Sequence, residues 1–146
     1  MSRYFTIAEA QRLLPRVEER IREALLLKAE HQRADEEIRA TTQRIFLSGG
    51  ASVDRNHIAE LKMTRDSTAT RLQETFERIQ ELGCLVKDLD VGLLDFPTLY
   101  RGEEVYLCWR LGEDRIEFWH HIEDGFRGRQ PVDAEFLANH GAGTEN

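Results

Sequence analysis

The second half of this chain is crowded with side chains that bind divalent metals. Asp88, Asp90, Asp95, Glu104, Glu117, His120, His121, Glu123 and Asp124 lie within one stretch. Imidazole together with carboxylate suits zinc, manganese or iron. Strand geometry prunes this set. His120 and His121 are adjacent, so on a strand they point to opposite faces, and both can bind one ion only where the strand breaks. Glu117 and His121 share a face but stand roughly 13 Å apart at about 3.3 Å per residue. Glu104 is the better companion for His121: directly opposite it in a two-residue hairpin, one diagonal away in a four-residue one. The expected metal site is therefore Glu104 and His121 with Asp95 from the next strand, and His120 as a further candidate. The competing reading pairs His121 with Glu104 or Tyr106 on a wet sheet and leaves His120 as a hydrogen-bonded core histidine.

A second reading of this face is an interaction surface, and it ranks above the metal site. Tyr106, Arg110, Glu117 and Trp119 alternate onto the same expected face as His121, and Trp, Tyr and Arg are the types enriched at binding hot spots. They form a candidate interaction surface. Arg127 and Arg129, in a loop with Gly125 and Gly128, can approach a small anion. The chain has no G-x-x-x-x-G-K-[ST] loop and no G-x-G-x-x-G between strand and helix. Cys108 sits mid-strand and, in one register, beside Glu117, which raises a thiol pKa and lowers its reactivity. Nothing resembles a nucleophile elbow.

The elements that must position these residues are legible from periodicity. Thr6-Ile7-Ala8-Glu9 has the form of a capping box, so a helix starts at Ile7. Pro15 either kinks it or opens a second helix after a short one ending near Leu13; the second outcome is favoured. Val17, Ile21, Ala24, Leu25, Ile38 and Ile45 then recur at helical spacing up to about Phe46. Ser48-Gly49-Gly50-Ala51-Ser52 reads as a turn. Ser52 or Asp54 can cap the next helix, and Gly83 stops it. Ile58, Leu61, Thr68, Ala69, Leu72, Phe76, Ile79 and Leu82 mark its apolar face. The two helices form an antiparallel hairpin with residue i near 101 − i, which sets Asp35 beside Arg65 or Asp66. An Asp35–Arg65 pair would fix the register. A carboxylate metal bundle is disfavoured: it needs Glu-x-x-His, whereas Lys28 precedes His31 and His57 precedes Glu60.

Beyond Cys84 the pattern changes to short strands. Leu85–Lys87 and Leu93–Phe96 are candidates, with Pro97 ending the second. Val105, Leu107, Trp109 and Leu111 alternate against Tyr106, Cys108 and Arg110. After a Gly112-Glu113-Asp114 turn, Ile116, Phe118 and His120 alternate against Glu117, Trp119 and His121. A two- or four-residue connection puts Phe118 with Leu107 and Trp109 on the core face.

The net charge is −7, and residues 83–146 carry all of it, with 6 basic against 13 acidic side chains. An acidic surface disfavours nucleic acid and anionic membranes as partners. No apolar run approaches the roughly 18 residues of a membrane span. Two separated cysteines suit a reducing cytoplasm.

Several stretches resemble a bacterial family of unknown function, DUF2203. They are Phe5-Thr6 through Glu9-Ala10 with Leu13-Leu14-Pro15, Val86 through Pro97, Glu104 through Arg110, and Trp119-His120 with Gly125, Gly128, Arg129 and Pro131. The resemblance covers nearly the whole chain and implies no reaction and no catalytic residues.

The expectation is an α+β protein: a long antiparallel helical hairpin (6–82), then a small antiparallel β-meander of three or four strands (84–122) and a loop (123–132). Residues 1–132 form one domain, and the Ala/Gly/Asn/Glu tail from 133 to 146 is expected to be disordered. The hairpin cannot bury its apolar surface alone, so a coiled-coil-like homodimer is expected. The favoured function is an oligomeric interaction or assembly module, with another protein as a possible partner. The alternative is a divalent-metal protein or metal-dependent enzyme.

Overall fold

The computed structural model describes residues 3–50 and 54–141. The architecture is α+β. Helices α1 (Ile7–Leu47) and α2 (Arg55–Glu81) precede strands β1 (Leu85–Asp88), β2 (Leu93–Tyr100), β3 (Glu103–Arg110) and β4 (Phe118–His121). A 3-10 turn (Phe126–Gly128), the two-residue strand β5 (Gln130–Pro131), the short helix α3 (Ala134–Asn139) and the two-residue strand β6 (His140–Gly141) follow. All strand pairs are antiparallel, in the order β1-β2-β3-β4-β5, with β6 on β2. The sheet is thus larger than the expected three or four strands. Among the described residues, no helix is long and apolar enough to cross a membrane.

The chain divides into two compact units. One is the middle of the helical hairpin, Arg22–Phe76. Its buried positions include Leu27, Ala34 and Thr41 on α1 and Thr68 and Thr75 on α2. These recur in steps of seven, and most are small. Leu25, Ile38 and Ile45, expected on the seam, are only half-buried, and Ala69 is exposed. The register also differs from the expected one. His31 Nδ1 lies 3.0 Å from the Arg65 carbonyl oxygen, so His31 rather than Asp35 faces Arg65. Asp35 pairs with Arg39 one turn along its own helix, and Arg65 pairs with Asp66. Adjacent and i,i+4 partners cost less chain ordering than a pairing across helices. Asp54 caps α2 by accepting from the His57 N–H at 3.0 Å; Ser52, the other candidate cap, lies outside the described residues.

The other unit joins the residues up to Ile21 with those from Glu77 onward. The capping box is present in both directions: Glu9 N–H donates to Thr6 Oγ1 at 3.1 Å, and Thr6 N–H to Glu9 Oε1 at 2.9 Å. α1 runs unbroken through Pro15, contrary to the expected break. Pro15 removes one ladder bond of a 41-residue helix and projects its ring outward, and the flanking turns keep their bonds. Gly83 stops α2 at φ +102°, and a Cβ there would meet the Phe5 ring at 3.0 Å.

Pro97 does not end β2. In an antiparallel strand a residue's N–H and C=O face the same neighbour. The Pro97 carbonyl accepts from Phe5 N–H at 2.7 Å, on the edge between β1 and β6. The missing N–H is therefore on that edge, and the β2–β3 ladder loses nothing. β2 and β3 join through Arg101 (φ +52°) and Gly102 (φ +83°), a two-residue hairpin turn with both central residues left-handed.

The segment from Asp133 to Gly141 is ordered into α3 and β6, which corrects the expected disorder there; residues 142–146 lie outside the described residues. Asp133 Oδ1 caps α3 through the Phe136 N–H at 2.9 Å. Phe136 is buried, stacked on Tyr100 and Trp119 at ring separations of 5.0 and 4.9 Å. His140 Nε2 accepts from the Ile7 N–H at 3.0 Å, which ties the segment to the start of α1.

Candidate metal centre

The register of the three long strands decides which side chains meet. β2 pairs Asp95 with Cys108 and Pro97 with Tyr106. β4 pairs Phe118 with Cys108 and His120 with Tyr106. Paired residues share a face, so Asp95, Tyr106, Cys108, Phe118 and His120 lie on one side of the sheet. The opposite side carries Leu94, Phe96, Val105, Leu107, Trp109 and Trp119, all buried, together with His121.

The facing of β4 is therefore the reverse of that expected. Seven residues, 111–117, separate β3 from β4, where even-numbered connections were considered. An odd count shifts the register by one and turns every side chain over. This shift moves His120 onto the face of Asp95 and takes His121 off it.

Asp95, Cys108 and His120 form a buried cluster. One carboxylate oxygen, the thiol sulfur and one ring nitrogen all lie within 4.8 Å of one another. His120 and Asp95 are each 2% exposed and Cys108 is 0% exposed. His120 Nδ1 stands 2.7 Å from the His121 carbonyl oxygen. A carbonyl only accepts, so Nδ1 carries a proton and donates it. His120 Nε2 lies 3.0 and 3.1 Å from the two Asp95 oxygens. That contact also needs a proton, so imidazole and carboxyl share one and the pair is neutral as a whole. Burial pushes the Asp95 pKa up, against the pull of His120. Burial, and then the Asp95 charge, push the Cys108 thiol up to about 12.

The cluster is not sealed on every side. A cavity of about 170 Å³ opens onto Asp95 and His120, walled also by Lys87, Tyr106, Ile122 and Phe126. The Lys87 ammonium stands 5.1 Å from the centre of the Tyr106 ring. Arg129 lies 4.2 Å over Phe118 and 4.6 Å from the centre of the Phe126 ring.

The remaining candidates from the sequence are dispersed. Glu104 accepts from the Tyr4 hydroxyl at 3.1 Å, four positions along β3 from Cys108. His121 packs edge-on against Trp119 at 5.0 Å on the other face. Tyr106 and Trp119 are both buried, on opposite faces, so they do not share an outer surface. Arg110 is exposed, and Glu117 lies outside β4 and pairs with Arg115 at 3.2 Å. Arg129 is engaged by both Glu113 oxygens at 2.8 and 2.7 Å, while Arg127 is exposed. Cys108 is the member of the cluster that the sequence reading leaves out as a ligand. The signal that finds it is Arg101-Gly102: a two-residue turn there sets Asp95 opposite Cys108 by counting alone.

Fold and site together define an α+β protein with a carboxylate–thiol–imidazole cluster inside its sheet unit. The family model described as "Uncharacterized conserved protein (DUF2203)" matches residues 3–132, and the chain belongs to that family. No curated protein and no solved structure matches the chain.

Proposed function

We propose that this protein binds a divalent metal of the zinc class, with Asp95, Cys108 and His120 as its three protein ligands. The observation that carries the reading is the meeting of three different ligand atoms, all buried, within 4.8 Å. Bond lengths of about 2.0–2.3 Å in a tetrahedral site set neighbouring ligand atoms about 3.3–3.6 Å apart. The Asp95–His120 gap of 3.0 Å needs to open by only a few tenths of an ångström. The Nδ1 donation to a backbone carbonyl is the support that orients a metal-binding imidazole through Nε2. Charge supports it too. Without metal the three groups are neutral together. With metal, the thiolate and carboxylate cancel the two positive charges, so a buried cation adds no net charge. A thiolate ligand favours zinc or iron over manganese. Two reduced, buried cysteines fit a cytoplasmic setting. The test is zinc loading followed by dialysis and metal analysis of wild type, Cys108→Ser and Asp95→Asn. One ion per wild-type chain and none in either variant is the expected result.

A second reading concerns assembly. On the hairpin unit, Leu26, Phe46, Leu47 and Met63 are 69%, 81%, 75% and 72% exposed. Large apolar side chains at that exposure favour association, and a homodimer through the hairpin would bury them. Sedimentation equilibrium of wild type and of the double variant Phe46→Glu, Leu47→Glu tests it: a dimer that becomes a monomer supports the reading, and a wild-type monomer contradicts it.

A further inference from the structure

We propose that the cavity over the Asp95–Cys108–His120 centre is the binding site of a small carboxylate, which takes the metal's fourth position and pairs with Lys87. This rests on the metal reading above. Three protein ligands leave one position of a tetrahedral ion for an outside group, the arrangement that separates reactive metal sites from closed structural ones. The cavity touches Asp95 and His120, while Cys108 is not on its wall. The open position therefore falls on the cavity side.

The walls define what fits. A volume of about 170 Å³ corresponds to roughly six water molecules at about 30 Å³ each. That admits an acetate- to pyruvate-sized molecule. Leu93, Ile122 and Phe126 supply apolar wall, so a short carbon skeleton is favoured over a fully polar ion. Lys87 is the basic residue of the lining, and in the metal-free protein its charge acts on the Asp95 carboxylate across the cavity. Thiolate and carboxylate already balance the metal, so an arriving anion finds its counter-charge in Lys87. The 13 acidic side chains of residues 83–146 repel larger polyanions.

The experiment uses Co(II) in place of zinc, because its visible bands report coordination number and its thiolate charge-transfer band reports Cys108. The full chain is loaded with Co(II) and titrated with sodium acetate at constant ionic strength. Saturable change in the visible bands is expected in wild type, with half-saturation raised about two- to fivefold in Lys87→Met, the scale of one partly screened charge contact. Lys87→Arg should restore most of the loss. A cobalt protein with a thiolate band and no response to acetate overturns the carboxylate site and leaves the metal reading standing. Equal half-saturation in wild type and Lys87→Met overturns the role of Lys87. Absence of any thiolate band in wild type overturns the metal reading, and this inference with it.

Discussion

Asp95 on β2 and His120 on β4 meet across the intervening strand, Oδ1 to Nε2 at 3.0 Å, and both side chains are buried. The pair holds one shared proton, and the second ring nitrogen is fixed by the His121 carbonyl. Asparagine at position 95 can donate from its amide to Nε2 and keep the imidazole neutral and satisfied. Asp95→Asn is therefore expected to unfold within about 1 kcal/mol of wild type, while Asp95→Ala strands a buried ring nitrogen and costs about 2–3 kcal/mol. Urea unfolding of the metal-free proteins measures both. Equal loss in the two variants contradicts the shared-proton account.

Metal uptake must displace the Cys108 thiol proton and the proton shared by Asp95 and His120. The thiol sits at about 12 in the absence of metal, so it is protonated throughout the neutral range. About two protons should leave per divalent ion bound near pH 7, and apparent affinity should rise with pH. Calorimetry in buffers of different ionisation enthalpy counts them. Release of only about one would mean that Cys108 keeps its proton and is not a ligand.

Glu113 and Arg129 form a partly buried ion pair in the sheet unit, with side-chain exposures of 24% and 12%. Burial alone would raise the Glu113 pKa, but the Arg129 hydrogen bonds and the Arg110 backbone N–H outweigh it and hold the carboxyl below its usual range. A depressed carboxyl stabilises the fold above its unfolded value of about 4.3, and that contribution is lost as pH falls through the lower folded value. Glu113→Gln should cost about 1 kcal/mol at pH 7. The difference from wild type should shrink below about pH 4. Thermal melts across pH 3–7 show it; a difference independent of pH would contradict the assignment.

Phe136 anchors the segment from Asp133 to Gly141 through its stacking on Tyr100 and Trp119. Phe136→Ala removes a fully buried ring and should cost about 3–5 kcal/mol. Hydrogen exchange should rise first at the Arg101 N–H, which donates to the Asn139 carbonyl at 2.9 Å, and at the Ile7 N–H held by His140. Unchanged exchange at both amides would show that the segment is held by something other than this ring.

Local rules made part of this structure legible in the sequence. The Thr6–Glu9 box, the Asp54 cap, the Gly83 stop and the alternation along β3 each depend on a few neighbouring residues, and each is present. What depends on parity or on distant partners is not legible. The facing of β4 turns on whether its connection holds an odd or even number of residues, so Glu104 and His121 separate while Asp95 and His120 meet. Pro97 reads as a strand end until its missing N–H is seen to face the edge shared with Phe5. The tail composition reads as disorder, yet Asp133 supplies a cap and Phe136 an anchor. On the hairpin, Thr68 lies on the face read from the sequence, but Ala34, Thr41 and Thr75 carry buried positions without a strong apolar signal, which hides much of the seam.

The most direct test of the central claim is the mass of the untagged protein under non-denaturing conditions, after zinc loading and removal of free metal, with and without chelator. The account predicts one zinc ion per chain in wild type, lost to chelator, and none in His120→Asn or Cys108→Ser variants that remain folded. A folded wild-type chain that holds no zinc, or a variant that keeps it, would contradict the assignment of Asp95, Cys108 and His120 as a metal centre.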